Sequence, residues 1–169
     1  NFKKVSSPPK FLNIGSADGA INNIYEQVGF KTYGIEPAKS LCESAIEKYS
    51  LENIYNCTIE DADFDENSFD LIHFWHVIEH LKDPIAALEK IHFWLKPGGI
   101  LNIGTPNATS LDFLIGKFVK RFTIGYYHTF IFSKNNLNTA LKNAGFVVKN
   151  HEIYPSKRVK KFGNTLGSM

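Results

Sequence analysis

The stretch Phe11-Leu12-Asn13-Ile14-Gly15-Ser16-Ala17-Asp18-Gly19 opens as a short buried strand and closes in two glycines with small residues between them. A helical segment, Ala20 to Val28, follows at once. A strand, a tight turn of small residues and a helix form the front half of a nucleotide-type site. Glycine lets the backbone take unusual dihedrals there and lets a ligand approach closely. Further on, Lys31-Thr32-Tyr33-Gly34-Ile35 reads as a second strand and ends in Glu36. An acid at the tip of the second strand is placed to grip a ribose diol.

Outward from that stretch, the chain alternates strands and helices. Ser40-x-x-Glu43 matches a capping box and opens a helix to about Tyr49. Asn53 to Ile59 reads as a third strand, Glu60 to Asn67 as an acidic loop and Phe69 to Trp75 as a fourth strand. Asp83-Pro84 starts a helix, with a capping carboxylate followed by proline in the first turn. Lys96-Pro97-Gly98-Gly99 stops that helix, and Ile100 to Gly104 is a fifth strand. Leu111, Leu114, Ile115, Phe118 and Phe122 mark an amphipathic helix whose other side carries Lys117, Lys120 and Arg121. Ser133 caps a helix that Gly145 ends, and Phe146 to Tyr154 is a sixth strand. This alternation predicts a parallel sheet covered on both faces.

Composition narrows the class. The 169 residues are 43% apolar and 21% charged, which suits one globular domain over residues 1–169. A net charge of +2 is too mild to argue for nucleic acid. No apolar run approaches the roughly 18 residues that span a bilayer, and the start of the chain lacks a secretory pattern. The expectation is a cytoplasmic protein without stable membrane insertion. Cys42 and Cys57 lack C-x-x-C spacing and read as reduced thiols. Asn56-Cys57-Thr58 and Asn107-Ala108-Thr109 match the glycosylation sequon and read as chance.

The glycine spacing sorts the nucleotide options. Gly15-x-Ala17-x-Gly19 is not the G-x-G-x-x-G of dinucleotide binders, and no Gly-Lys-Ser/Thr follows to make a P-loop. It resembles motif I of the class I S-adenosylmethionine-dependent methyltransferases, D-[IVL]-G-x-G-x-G, with Asn13 in place of Asp and Ala17 in place of the middle glycine. The resemblance implies that the turn around Asn13, Gly15, Ser16, Ala17 and Gly19 holds the amino-acid end of S-adenosylmethionine. It also implies that Glu36, followed by Pro37, takes the ribose hydroxyls. Asp18 reads as a solvent-side turn residue. Cys57-Thr58-Ile59-Glu60-Asp61 and Phe64-Asp65-Glu66-Asn67-Ser68-Phe69-Asp70 are similar to the family's G-[DS]-[AI]-E-[DE] and F-x-D-x-S-F-D segments. They point to Thr58, the backbone of Ile59, and Glu60 as adenine contacts.

Phe74-Trp75-His76-Val77-Ile78-Glu79-His80-Leu81-Lys82-Asp83-Pro84 resembles the family's H-V-[IL]-E-H-[LV]-x-D-P most specifically, and Leu95-Lys96-Pro97-Gly98-Gly99 follows as its L-x-P-G-G. Trp75 and His76 are expected at the strand end beside the cofactor, with Glu79 and His80 structural. The same residues fit H-x-x-E-H, a zinc-peptidase pattern that needs both histidines on one helical face. Thr105-Pro106-Asn107-x-x-Ser110-Leu111 and His128-x-x-x-Phe132-Ser133 resemble a bacterial subgroup that methylates small molecules or glycans. His128 and His76 are the candidate catalytic residues, because an imidazole neutral near pH 7 can take a proton from a hydroxyl. The resemblances run from about Phe11 to Phe146.

These observations predict an α/β, doubly wound, Rossmann-like, mostly parallel sheet with helices on both faces. The family's usual helix before the first strand and strand after the sixth are not evident, so truncation at one or both ends is expected. The expected activity is O-methylation of a small-molecule or glycan acceptor, with S-adenosylmethionine as donor, S-adenosylhomocysteine as product and no metal. The identity of the acceptor and the oligomeric state stay open. Two alternatives remain: a degenerate S-adenosylmethionine-binding module without turnover, and a zinc hydrolase.

Overall fold

The computed structural model describes residues 7–109 and 129–153. Among them, β1 (Lys10–Ile14), β2 (Lys31–Ile35), β3 (Ile54–Tyr55), β4 (Phe69–Trp75) and β5 (Leu95–Gly104) form a parallel sheet in the order β3-β2-β1-β4-β5. The helices are α1 (Ala20–Gln27), α2 (Lys39–Tyr49), α3 (Pro84–Trp94) and α4 (Lys134–Asn143), with a 3-10 turn at Ile78–His80. Parallel neighbours need a crossover between them, which is why helices alternate with strands. The chain steps outward from β1 to β3, then returns across β1 to β4 and β5. The order reverses between β1 and β4, so a crevice opens there at the carboxyl ends of the strands.

Strand alternation sends side chains to both faces. Leu12 and Ile14 join Ile72 and Phe74 in a core shared with Leu88, Ile91 and Trp94 of α3 and with Ala140 and Leu141 of α4. Each buried Leu, Ile or Phe among these contributes about 1.5–3 kcal/mol. Phe11 and Asn13 face the other way. The Phe11 ring stacks on Tyr25 of α1 at 3.9 Å between centroids, and Asn13 Nδ2 donates to Asn22 Oδ1 of the same helix at 2.8 Å. Helices therefore cover both faces, as the doubly wound class requires. Phe64 meets Tyr33, Tyr55, Phe69 and Trp94 edge-on, which pins the acidic loop to the sheet.

Four local expectations change. No capping box forms at Ser40: α2 begins at Lys39 with Ala38 as its N-cap, because the Glu36 side chain fixes the Ala38 N–H just before it. The third strand is only Ile54–Tyr55. Beyond it, the Asn56 amide donates to the carbonyls of Glu36 and Pro37 and the Cys57 N–H turns back to the Tyr55 carbonyl, so the ladder ends. The fifth strand starts early: Leu95 already pairs with Phe69, then Lys96 to Gly99 bulges out before Ile100 pairs with Leu71. Pro97 has no N–H to donate and Gly98 sits at φ +81°, which suits a bulge. No sixth strand forms over 146–153: Phe146 and Val148 pack toward the core and Val147 is exposed, but the alternation finds no ladder partner among the described residues.

Candidate active site

The turn after β1 is built as the sequence requires. Gly15, Ala17 and Gly19 all have positive φ, at 73°, 48° and 77°. The Gly15 and Ser16 N–H groups both donate to the Ile35 carbonyl, which ties the turn to the end of β2. A Cβ on Gly15 would fall 2.5 Å from Val77 Cγ2, so glycine is needed here for space as well as for conformation. Asp18 lies at the solvent side, where Lys48 and then the Ala20 N–H hold its carboxyl below the usual range. Ser16 is buried, has no partner for its Oγ among the described residues and packs under Gly34. A Cβ at position 34 would sit 2.8 Å from that oxygen.

Glu36 is the acid at the tip of β2. It is 8% exposed, and two backbone donors fix its carboxylate: Ala17 N–H to Oε2 at 3.0 Å and Ala38 N–H to Oε1 at 2.9 Å. Each oxygen keeps a further acceptor site. Beneath it the Cys42 thiol donates to the Glu36 carbonyl at 3.2 Å, and burial, with Glu36 nearby, pushes that thiol up. Pro37 follows in the turn that leads to α2. Beyond β3, Thr58 and Asp61 close a turn on each other, with Thr58 Oγ1 donating to Asp61 Oδ2 at 2.8 Å. Ile59 is buried in the core, and the Glu60 carbonyl accepts from Lys90 Nζ at 2.8 Å.

At the other wall, β4 ends in Trp75 and His76. The Trp75 ring stacks on His73 at 5.7 Å and lies over Gly104 of β5, where a Cβ would meet the ring at 2.5 Å. Burial alone pushes the His73 imidazole below its ordinary value. His76 takes φ +55°, and its N–H donates to the Gly104 carbonyl at 2.8 Å. Its Nδ1 lies 3.1 Å from Glu79 Oε1, while Thr105 Oγ1 donates to Oε2 of the same carboxylate at 3.1 Å. Glu79 is 1% exposed, and its carbonyl accepts from the Thr129 and Phe130 N–H groups. Glu79 and Thr105 join the site although the residue pattern marked them as structural and as a strand break. The signal for Glu79 lies in the stretch from Phe74 to Pro84 itself, where it follows His76 by three residues. One helix does not carry both histidines: His76 is left-handed and only Ile78–His80 forms a 3-10 turn, so the single face that H-x-x-E-H needs is not made. His128 and the helix expected over 111–122 lie outside the described residues.

Comparison with known proteins bears on the family and the fold. The family model described as a methyltransferase domain matches residues 1–151. A ubiquinone biosynthesis O-methyltransferase of Nitrobacter winogradskyi is 32% identical over 111 residues, covering 63% of this chain and 42% of that protein. This chain spans about half the length of the curated relatives it matches, from 40% to 59%. Among solved structures, a S-adenosylmethionine-dependent methyltransferase of Thermotoga maritima superposes with a TM-score of 0.69 at 24% identity, covering 85% of this chain and 67% of that one. Another, from Mesorhizobium loti, gives 0.73 at 14% identity over 95% and 85% of the two chains. The chain belongs to the methyltransferase-domain family of class I, S-adenosylmethionine-dependent methyltransferases.

Proposed function

We propose that this chain transfers the methyl group of S-adenosylmethionine to a hydroxyl of a small-molecule or glycan acceptor. The observation that carries the reading is Glu36, a nearly buried carboxylate fixed by two backbone N–H groups at the tip of β2, beside the glycine turn. A ribose diol needs two acceptor oxygens in one plane, and this group supplies them. The residues present therefore fit the cofactor. The turn at Gly15 to Gly19 would hold its amino-acid end, and Thr58, Ile59 and Glu60 would border its base. Asn13 already gives its amide proton to Asn22, so it supports the turn from the α1 side.

Bound S-adenosylmethionine supplies an electrophilic methyl that needs no further activation. The protein's task is alignment, which can be worth about 7–11 kcal/mol. A hydroxyl acceptor is favoured because curated relatives at 25–32% identity are named O-methyltransferases of ubiquinone biosynthesis. Trp75 and His76, at the end of β4, would border the cofactor and the acceptor, and His76 and His128 are the candidate bases. Titration calorimetry tests the cofactor: S-adenosylhomocysteine should bind and NAD should not. A screen with labelled methyl donor over hydroxyl-bearing acceptors tests the transfer. Tighter binding of NAD than of S-adenosylhomocysteine would overturn the reading, and binding without transfer to any acceptor would favour a module without turnover.

A further inference from the structure

We propose that Glu79 is a positioning residue that presents His76 Nε2 as the proton acceptor for the substrate hydroxyl. The inference deepens the methyl-transfer reading and rests on it. Glutamate is almost never fully buried unless paired, yet Glu79 is 1% exposed. Its two oxygens meet only His76 Nδ1 and Thr105 Oγ1 among the described residues. A carboxylate only accepts hydrogen bonds, so the proton between the two side chains sits on Nδ1. In a neutral imidazole the other nitrogen is then the acceptor. That places a free lone pair on Nε2, at a side chain 60% exposed, at the carboxyl end of β4.

The backbone is set for the same purpose. His76 is held at φ +55°, a conformation that side chains other than glycine seldom take. Such residues persist where surrounding structure over-determines them, and they cluster at functional sites. Here the constraints are the His76 N–H on the Gly104 carbonyl and the ring on Glu79. Glu79 is itself fixed from two other directions, by Thr105 beyond β5 and by the backbone of Thr129 and Phe130 on its carbonyl. The Trp75 ring stands edge-on to the imidazole at 6.2 Å. The buried Glu79 carboxylate thus joins the ends of β4 and β5 beside an exposed imidazole, and the Glu79 main-chain carbonyl ties in the segment before α4.

The step balances. As the hydroxyl oxygen bonds to the methyl carbon, the sulfur–methyl bond breaks and its electron pair stays on sulfur, giving S-adenosylhomocysteine. The hydroxyl proton moves to Nε2. The resulting imidazolium keeps Nδ1–H on Glu79, whose negative charge stabilises it, and solvent later removes the new proton.

The test is the tautomer of His76, read from two-bond proton–nitrogen correlations of histidine-labelled protein at about pH 8, above the ordinary imidazole range. The wild type should show His76 as the Nδ1–H form, and Glu79→Gln, whose amide can donate as well as accept, should lose that preference. Ethoxycarbonylation by diethyl pyrocarbonate, mapped by mass spectrometry, reports the Nε2 lone pair directly. Its rate at His76 scales with the Nδ1–H fraction, so a fall of that fraction to one part in ten slows it about tenfold. A purely structural Glu79 would lower the melting temperature of the variant and leave tautomer and rate alone. An Nε2–H form in the wild type overturns the proposal without any variant, so a Glu79→Gln protein that fails to fold does not rescue it. Calorimetry with S-adenosylhomocysteine on the same wild-type sample separates the two readings: no binding sinks the methyl-transfer reading, whereas binding with the wrong tautomer sinks only this one.

Discussion

At the scale of single residues, Glu36 and Asn13 differ in what they are free to do. Glu36 has its two backbone donors and spare acceptor sites toward the crevice. On the proposed reading, Glu36→Ala would remove two charge-assisted ribose contacts, each worth about 1.5–3 kcal/mol. Affinity for S-adenosylhomocysteine should therefore fall tenfold or more in calorimetry, with near-normal circular dichroism; an unchanged dissociation constant would remove Glu36 from the site. Asn13 is tied through its amide nitrogen. Its Nδ2 donates to Asn22 Oδ1, and Asn22 Nδ2 donates onward to the Tyr33 carbonyl. Restoring the family's acid by Asn13→Asp would set a carboxylate against that Asn22 oxygen. Turning the Asn22 amide over would repair the clash and lose the bond to Tyr33. The substitution should cost about 1–3 kcal/mol of stability. Chemical denaturation checks this, and a variant as stable as the wild type would contradict it.

At the scale of elements, Asp70 ties three strand starts together. Its Oδ2 accepts from the Lys10 N–H at 2.8 Å and from Lys96 Nζ at 2.7 Å, so β1, β4 and the bulge of β5 meet on one carboxylate. Burial pushes its carboxyl up, but the Lys96 and Lys10 hydrogen bonds outweigh burial and hold it below the usual range. A carboxyl whose folded pKa is depressed stabilises the fold above its unfolded pKa, and that contribution is lost as pH falls through the folded value. Melting temperatures measured down from pH 6 should drop on the acid side, and Asp70→Asn should flatten that drop. An identical acid limb in the variant would show that the pair contributes nothing. Helix ends follow the same logic. Ser133 Oγ accepts from the Asn136 N–H at 3.2 Å, and Asp83 Oδ1 accepts from the Ile85 and Ala86 N–H groups, so both expected caps are present. Ser133→Ala should cost about 1 kcal/mol in thermal or chemical unfolding.

At the scale of the whole molecule, ligand and fold are linked. A ligand that binds only the folded state stabilises it by mass action, about 2.7 kcal/mol at one hundred times its dissociation constant. S-adenosylhomocysteine at that excess should raise the melting temperature by about 5–10 °C, while NAD at equal concentration should leave it unchanged. Equal shifts with both ligands would contradict the assignment of the crevice.

The sequence by itself determined the repeating part of the architecture. Hydrophobic period, glycine and proline stops and cap residues are local signals, and they placed β1, β2, β4, α1, α3 and α4 within a residue or two. They also placed Glu36, because the tip of a strand is set by where its apolar run ends. What depends on partners distant in the chain was decided only in three dimensions. The third strand stops because Asn56 reaches the carbonyls of Glu36 and Pro37, and the segment after Phe146 has a strand's alternation but no neighbour to pair with among the described residues. The role of Asn13 is set by Asn22 across a helix, and that of His76 by a buried Glu79 which Thr105 meets from the end of another strand. A residue's own identity specifies which bonds it can make; the crossover of parallel strands decides which partner arrives to make them.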